Sequence, residues 1–491
     1  MRTPLVAALS LAMPAVLAAQ TIPPPEYAAR RDSLAQRMDS GVVVAFGGAN
    51  PVGSERFAQL PAFRYLTGFL EPDAALVLVI RGEKPTGTLF TQPRDPRRAL
   101  YDGFPPDSAA VARRTGLRAR SFAALTPVLD SLASSGLPFY TIRDFTTADY
   151  AAEDSLTRGA GYMRAFAARH GGLELRDAHP VLDSLRSRKS SAELAMLRRA
   201  IDLTVAAQRE VMRTIRPGMW EYEIEALFQG AFRRGGGDGA AFVSIIGSGP
   251  NSTQYHYNAN DRRMAAGEVV VMDVGAAFGG YAADVTRTVP VSGRYTPDQR
   301  AVYQIVRDAQ AAAERVVRPG SSFEAWREAA RVVVARGVAR LGLTEGVDAT
   351  FDPPWADQCG KDPLRCNQAF LYMAHGLGHG IGLEVHDRPH PWYGAGTFAE
   401  GDVFSIEPGV YVSTRLLEML PDTPKNRKMI AKVRGAVRRY QNIGVRIEDD
   451  YVVTGSGLEW VSRAPREPDE IEAEMARPRP SALLEVPRQS R

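Results

Sequence analysis

Two apolar segments joined by a glycine-containing turn each carry one aspartate. Residues 269–275 and 281–288 have the pattern of a β-hairpin. If the turn is centred on residues 278–279, Asp273 and Asp284 lie directly opposite each other, with Cβ atoms about 4.5–5.5 Å apart. Two carboxylates at that spacing in a buried strand pair repel each other, and a bound cation removes the conflict. The alternative is a slipped register that turns one aspartate to solvent, which the apolar neighbours disfavour.

A glycine-rich segment contains most of the histidines. Glycine occupies every second position from 376 to 382, and four of the seven histidines lie between 375 and 390. An extended segment of this kind has one face without side chains, so another backbone or a ligand can approach it closely. A lone histidine is usually structural, but three in twelve residues, including His379 and His386, favour a binding site.

Two glutamates follow strand-like runs further along the chain. Glu407 ends an apolar run just before a Pro-Gly turn, and Glu448 lies in a run whose period of two places it on the same face as Arg446. Each glutamate alone is weak evidence, because glutamates in strands commonly face solvent.

Taken together, these residues form a set of four carboxylates and one imidazole. The set consists of Asp273, Asp284, His379, Glu407 and Glu448. Such ligands suit Mn²⁺, Co²⁺ or Zn²⁺, and two divalent ions balance the four negative charges. Ions about 3.5–4 Å apart can share a bridging hydroxide that forms near neutral pH. The sequence therefore predicts a hydrolase with a pair of metal ions.

Composition narrows the class of protein further. The 491 residues are enough for two or three domains, and 45% hydrophobic content is ordinary for a soluble globular protein. The net charge of +4 is small, and no basic stripe alternates with aromatic residues. We therefore expect no nucleic-acid partner.

The N-terminus has the pattern of a secretory signal peptide. Arg2 precedes an apolar run over residues 5–17 that ends in small residues, so we predict a signal peptide over residues 1–19. The alternative is a buried helix, which Pro4 and Pro14 would interrupt. No other apolar run approaches the ~20 residues of a membrane span. We expect an exported protein, periplasmic or secreted, with a disordered proline- and arginine-rich tail over residues 476–491.

The two cysteines, Cys359 and Cys366, are seven residues apart. In an oxidising compartment a short disulfide between them is reasonable, and two unpaired thiols are the alternative. Two thiols alone cannot form a four-ligand zinc site.

The chain divides into two regions of different character. Residues 26–150 alternate helical and strand-like stretches, with buried strands predicted at 41–46 and 74–80. A long helix is predicted from Ser191 to Thr214, and beyond residue 240 short strands, glycine turns and helices near 298–317 and 322–341 follow.

Four further stretches complete a resemblance to a known family. Residues 63–72, 186–199, 244–257 and 467–475, with the segments above, resemble the metallopeptidase family of aminopeptidase P and prolidase. The resemblance implies an α/β (α+β) fold with two domains. A mixed α/β aminopeptidase P N-terminal domain would span residues 26–180, and a pita-bread catalytic domain would span residues 185–475.

The resemblance also implies a role for each site residue. Asp284 and Glu448 would bridge both ions, Asp273 would bind one ion, and His379 and Glu407 would bind the other. Glu407 would also shuttle protons.

Three residues outside the ligand set are implied to handle substrate. His256 and His386 would bind substrate and stabilise the tetrahedral intermediate, and Arg446 would orient Glu448 or substrate.

The implied activity is that of an Xaa-Pro aminopeptidase with two divalent ions, Mn²⁺ before Co²⁺ or Zn²⁺. It would act on peptides with proline second and form a homodimer or homotetramer. The alternatives are an Xaa-Pro dipeptidase and an inactive peptide-binding module on the same fold. Creatinase shares the fold but lacks the metal ligands. Because this chain has all five, a creatinase-like function is disfavoured. Extra segments near 350–367 and 413–440 flank the site and bear on substrate length.

Overall fold

The computed structural model describes residues 21–51, 56–142, 157–389 and 395–478. The predicted signal peptide lies outside these residues, as does nearly all of the predicted disordered tail. Within the described ranges, no helix is long and apolar enough to cross a membrane. The chain has the mixed α/β organisation predicted from its sequence.

The helices of the described residues, in chain order, are α1 (Pro24–Gln36), α2 (Pro61–Thr67), α3 (Pro96–Asp102), α4 (Ser108–Thr115), α5 (Leu125–Ala133), α6 (Arg158–Arg169), α7 (His179–Arg186), α8 (Ser191–Thr214), α9 (Glu221–Arg234), α10 (Pro297–Val316), α11 (Phe323–Arg340), α12 (Thr414–Glu418), α13 (Pro424–Tyr440) and α14 (Pro468–Met475).

The strands are β1 (Gly41–Phe46), β2 (Ala75–Ile80), β3 (Thr86–Thr91), β4 (Arg118–Ser121), β5 (Phe139–Thr141), β6 (Leu175–Asp177), β7 (Gly239–Ala240), β8 (Ile245–Ser248), β9 (Val269–Val274), β10 (Ala276–Phe278), β11 (Tyr281–Ala282), β12 (Val285–Pro290), β13 (Val403–Ile406), β14 (Gly409–Val412), β15 (Ile443–Arg446), β16 (Asp449–Thr454) and β17 (Gly457–Trp460).

The N-terminal part is built on one six-stranded mixed sheet. Its strand order is β4-β3-β2-β1-β5-β6. Alternate residues of β1 enter two separate cores: Val43 packs in one with residues of α1 and α2, and Val44 packs in the other with residues of α5 and α6. Both faces of the central strands are therefore covered, which is why β1 and β2 appear as continuous apolar runs in the sequence.

The long helix α8 links the two parts and begins as the sequence predicts. The Ser190 side chain accepts a hydrogen bond from the Glu193 backbone, and the Glu193 side chain accepts one from the Ser190 backbone. This capping box satisfies two amides that the first turn leaves without partners. The predicted helices near 298–317 and 322–341 are also confirmed, as α10 and α11.

The C-terminal part packs small antiparallel sheets against long helices. The sheets have the orders β12-β9-β8, β11-β10-β7, β13-β16-β17 and β14-β15. Their apolar faces share one core with α8 to α11, α13 and α14. The C-terminal ends of β9, β13 and β15 lie close together, and the polar residues predicted to form a site lie at these ends.

The register of the β9–β12 ladder differs from the predicted one. Asp273 pairs with Thr286, not with Asp284. The turn lies at Gly279 and Gly280, both with positive φ (57° and 77°), one residue later than predicted. The direct opposition of the two aspartates is therefore wrong. Asp284 lies two residues before Thr286, so it is a diagonal neighbour of Asp273 on the same face.

The structure joins Cys359 and Cys366 in a disulfide, with Cα atoms 5.8 Å apart. The loop that they close belongs to the extra segment near 350–367. Of the second extra segment, residues 414–418 and 424–440 form α12 and α13.

Candidate metal centre

The glycines before and after His379 bring this histidine against β13. The backbone of residues 377–381 pairs with the strand: Ser405 N donates to His379 O at 2.7 Å, and Glu407 N donates to Leu377 O at 2.7 Å. A Cβ added at Gly378 would lie 2.0 Å from Ser405 O. The predicted close approach of another backbone to this segment is therefore confirmed.

Three carboxylates surround the His379 imidazole. Its Nε2 lies 3.5 Å from Asp284 Oδ2, 3.6 Å from Glu448 Oε1 and 3.8 Å from Glu407 Oε1. Ligand atoms of Asp284, His379 and Glu448 all lie within 4.8 Å of one another, and all three residues are buried. Four of the five predicted ligands thus meet around one imidazole.

Asp273, the fifth predicted ligand, is held by Arg446. Arg446 Nη2 donates to Asp273 Oδ2 at 2.5 Å, and both side chains are nearly inaccessible. Arg446 Nη1 also donates to the Tyr411 hydroxyl at 3.2 Å and to Tyr255 O at 3.3 Å. The structure thus gives Arg446 a direct contact with Asp273, and its predicted role of orienting Glu448 or substrate stays a prediction.

Burial and mutual repulsion disturb the acids of the cluster. Burial raises the pKa of Asp284 well above its ordinary value, and the charges of Glu448 and Asp273 raise it further. Burial likewise raises the pKa of Glu407, with Glu448 adding to the effect. Burial opposes ionisation of Glu448 too, but His379, Arg446 and Thr286 together outweigh burial and lower the pKa of Glu448 to about 2.

The His379 imidazole responds in the opposite sense. Burial opposes its protonation, but the nearby carboxylates of Asp284, Glu448 and Glu407 together outweigh burial and raise the pKa of His379. Metal ligands must be deprotonated, so binding of a cation at this cluster would release protons.

The unsatisfied oxygens of the cluster fit a cation. Within the part of the chain that the structure describes, Asp273 Oδ1, Asp284 Oδ1 and Glu448 Oε1 are buried atoms without a hydrogen-bond donor. A buried carboxylate oxygen without a partner is costly. Oxygen and imidazole nitrogen ligands together suit a hard or borderline divalent ion.

His375 lies beside the cluster and is held by neutral partners. Its Nε2 lies 2.9 Å from the Tyr411 hydroxyl and its Nδ1 lies 2.7 Å from Gly376 O. Burial lowers the pKa of His375 to about 4, and the positive charge of Arg446 adds to this. The ring also packs edge-on against Tyr255, with centroids 5.1 Å apart.

The two predicted substrate histidines are held differently. The His386 ring lies 4.3 Å from the His379 ring, centroid to centroid, so it adjoins the cluster. His256 is exposed and follows Tyr255, whose ring packs against His375 and Tyr411. His386 therefore contacts a predicted metal ligand directly.

Several residues that support the site were missed by sequence reasoning. Thr286 Oγ1 donates to Glu448 Oε2 at 2.8 Å, and Arg287, fully buried, donates to Glu448 O at 2.7 Å and to Asp449 Oδ1 at 2.7 Å. A charged residue in the middle of a short strand rich in β-branched residues was a usable signal for Arg287. Tyr255 and Tyr411 gave none, because aromatic residues are common in such positions.

Two family models match the chain. Residues 27–137 match the aminopeptidase P N-terminal domain, and residues 195–455 match metallopeptidase family M24. The first match covers β1 to β4 of the six-stranded sheet, and the second covers most of the C-terminal part.

Curated relatives cover nearly the whole chain. An Xaa-Pro aminopeptidase of Escherichia coli K12 is 31% identical over 463 residues, which are 92% of this chain and 97% of that protein. A human Xaa-Pro dipeptidase is 33% identical over 323 residues, which are 61% of this chain and 62% of that protein.

Solved structures share the fold. Proline aminopeptidase P II from Yersinia pestis aligns with a TM-score of 0.75 at 30% identity, over 93% of this chain and 100% of that chain. A Zn-substituted E. coli aminopeptidase P in complex with product aligns with a TM-score of 0.73 at 30% identity, over 93% of this chain and 98% of that chain. The predicted two-part fold is confirmed.

Proposed function

The chain belongs to metallopeptidase family M24 and is a metallo-aminopeptidase, and from that premise we propose that it is an exported Xaa-Pro aminopeptidase with two metal ions. It would release the first residue of peptides whose second residue is proline. The observation that carries this proposal is the buried group of Asp284, His379 and Glu448, with carboxylate oxygens that lack donors.

We propose the five predicted residues as the metal ligands. Asp284 and Glu448, which the family resemblance assigns to both ions, lie within 3.6 Å of His379. Asp273 would bind one ion and His379 and Glu407 the other. Two divalent ions held there would supply Lewis-acid activation of water and of the substrate carbonyl.

The side chains would carry the proton transfers and hold the substrate. Water oxygen bonds to the carbonyl carbon of the first residue, and the bond to the proline nitrogen breaks. Glu407 would take the proton from water and deliver it to the departing nitrogen. His256 and His386 would donate hydrogen bonds to the substrate and to its developing oxyanion, while Arg446 keeps Asp273 in place.

An Xaa-Pro dipeptidase is the second candidate. The human dipeptidase relative supports it, but its similarity covers 61% of this chain, against 92% for the bacterial aminopeptidase. The match to the aminopeptidase P N-terminal domain also favours the aminopeptidase. Purified enzyme should cleave an Xaa-Pro-Yaa tripeptide and spare the matched Xaa-Ala-Yaa tripeptide. Hydrolysis of Xaa-Pro dipeptides without cleavage of tripeptides would overturn the assignment.

An inactive peptide-binding module is the distant alternative. The retention of all five ligand residues argues against it. If purified protein binds no divalent ion and shows no hydrolysis after Mn²⁺ addition, the binding module is favoured.

We propose Mn²⁺ as the native ion, with Co²⁺ and Zn²⁺ as alternatives that the same ligands accept. Reconstitution of metal-depleted enzyme with each ion in turn would rank them by kcat/KM.

We also propose export, domains over residues 26–180 and 185–475, and a homodimer or homotetramer. Processing after residue 19 in a periplasmic fraction would support export, and light scattering would give the assembly size. Intact N-termini on protein confined to the cytoplasm would contradict export.

A further inference from the structure

Glu221 is a buried acid that the proposed reaction does not use. It is the first residue of α9, and its side chain is fully inaccessible. A buried carboxylate is costly unless several donors compensate it, so its surroundings indicate what it holds in place.

The carboxylate of Glu221 accepts hydrogen bonds from both ends of one loop. Oε1 accepts from Ser248 N and Ser248 Oγ, each at 2.7 Å, at the start of the loop. Oε2 accepts from Arg262 N at 2.9 Å at the end of the loop. In the middle of the loop, the Tyr257 hydroxyl lies 2.8 Å from the same oxygen and 2.8 Å from Asp261 Oδ1, so its one hydrogen lies between two carboxylates.

This loop, residues 248–262, carries His256 directly before Tyr257. Its other side docks on β15: Gly444 N donates to Ser252 Oγ at 2.9 Å. A Cβ at Gly444 would lie 1.9 Å from Ser252 O, so the two backbones are in close contact. Arg446, at the end of the same strand, donates to Tyr255 O at 3.3 Å.

A continuous set of contacts therefore runs from Glu221 to the candidate metal centre. Glu221 holds Tyr257, which adjoins His256, and the Tyr255 carbonyl on the other side of His256 accepts from Arg446. Arg446 in turn holds Asp273. His256 is exposed, so its position depends on how firmly its neighbours in the chain are held.

We propose that Glu221 is a positioning residue that fixes the loop presenting His256 to the substrate. The role of His256 rests on the proposed function, but the fixing of the loop does not. Each carboxylate oxygen faces one backbone N–H, Ser248 N on Oε1 and Arg262 N on Oε2, and a backbone N–H cannot accept a hydrogen bond. This explains why an acid is needed, because a glutamine would point its NH₂ group at one of these two N–H groups.

The test compares Glu221→Gln with Glu223→Gln. Glu223 lies in the same turn of α9 and caps Trp220 N with its side chain, a role that glutamine also fills. Hydrogen–deuterium exchange should speed up across residues 248–262 in Glu221→Gln and stay at the wild-type rate in Glu223→Gln. Unchanged exchange in Glu221→Gln would overturn the proposal whatever the substrate is.

The kinetic arm uses a double-mutant cycle with His256→Ala. Misplacement of a catalytic contact costs on the order of tenfold to a hundredfold, so Glu221→Gln should lower kcat/KM by about that much. Because Glu221 acts through His256, adding Glu221→Gln to His256→Ala should cause little further loss, and both single variants should change KM and kcat in the same proportion. If the loss of kcat/KM in the double variant equals the product of the losses in the two single variants, the proposal is overturned.

Two outcomes separate this inference from the proposed function. If the wild-type enzyme cleaves no Xaa-Pro peptide, the proposed function is refuted. The exchange experiment still tests whether Glu221 fixes the loop of residues 248–262. If Glu221→Gln does not fold, Tyr257→Phe removes the hydroxyl that lies between Glu221 and Asp261, and it should speed exchange in the same segment by a smaller factor. Wild-type exchange in Tyr257→Phe would then overturn the proposal.

Discussion

At the scale of single residues, Arg446 joins three elements with one side chain. Its guanidinium donates to the Asp273 carboxylate, the Tyr411 hydroxyl and the Tyr255 carbonyl. A planar fork with several donors can serve these partners together, whereas a lysine ammonium is a single point charge.

We expect Arg446→Lys to lower kcat/KM by about tenfold to a hundredfold, because the lysine leaves buried acceptors without donors. Steady-state kinetics on an Xaa-Pro tripeptide, with metal content measured in parallel, checks this. Arg439→Lys is the control, since Arg439 is exposed and pairs with Asp298 at the surface. Equal kcat/KM in the two variants would contradict the role of Arg446.

Asp402 should make the stability of the protein depend on pH. Burial raises the pKa of Asp402 from 3.8 to about 6, against the opposing hydrogen bond from Ala399 N. Between these values the folded state binds more protons than the unfolded state, so the free energy of unfolding falls as pH rises from about 4 to 6.

We expect Asp402→Asn to remove this fall. As pH rises from 4 to 7, the free energy of unfolding of the variant should increase relative to that of wild type by roughly 1–3 kcal/mol, since one pKa unit corresponds to about 1.4 kcal/mol. Urea unfolding at a series of pH values measures the difference. A difference that stays constant with pH would show that the carboxyl does not titrate in this way.

At the scale of elements, the glycine segment before and after His379 depends on contact with β13. The added Cβ of an alanine at Gly378 would meet Ser405 O at 2.0 Å, which backbone shifts must relieve. Those shifts would move His379 away from the carboxylates that surround it.

We expect Gly378→Ala to lower the free energy of unfolding by about 1–3 kcal/mol and to weaken metal binding. Gly435→Ala is the matched control. Gly435 lies inside α13 with open space around its Cα, so alanine there should raise the free energy of unfolding by at most about 1 kcal/mol. Thermal unfolding and metal titration measure both effects. A Gly378→Ala variant as stable as wild type would contradict this packing.

The elements also show what the sequence could and could not predict. Helix α8 was predictable because its capping box and apolar spacing are local. The close approach at Gly378 was predictable from the glycine pattern. The register of Asp273 was predicted one residue off, although the adjacent glycines 279 and 280, both at positive φ, are a pattern that places the turn there. Glu221 was not predictable, since its partners lie 27 to 41 residues away.

At the scale of the whole molecule, the proposed ligands come from distant parts of the sequence. Asp273 belongs to β9, His379 to the glycine segment, and Glu448 to the connection between β15 and β16. An ion that binds these residues together in the folded state but not in the unfolded chain stabilises the fold.

We therefore expect chelation to lower the melting temperature and Mn²⁺ to restore it. At a free ion concentration about a thousand times Kd, the gain in free energy of unfolding would be about 4 kcal/mol per site. Scanning calorimetry with and without chelator measures this, and Asp284→Asn should abolish the response. An unchanged melting temperature in wild type would contradict a metal centre.

The central claim is tested most directly by titrating metal-depleted enzyme with Mn²⁺ while counting bound ions and measuring Xaa-Pro tripeptide cleavage. We predict that activity rises with occupancy and reaches its plateau at two ions per chain, and that Asp284→Asn neither fills both positions nor gains activity. Full activity at one ion or none, or two ions bound with no cleavage of Xaa-Pro peptides, would contradict the account.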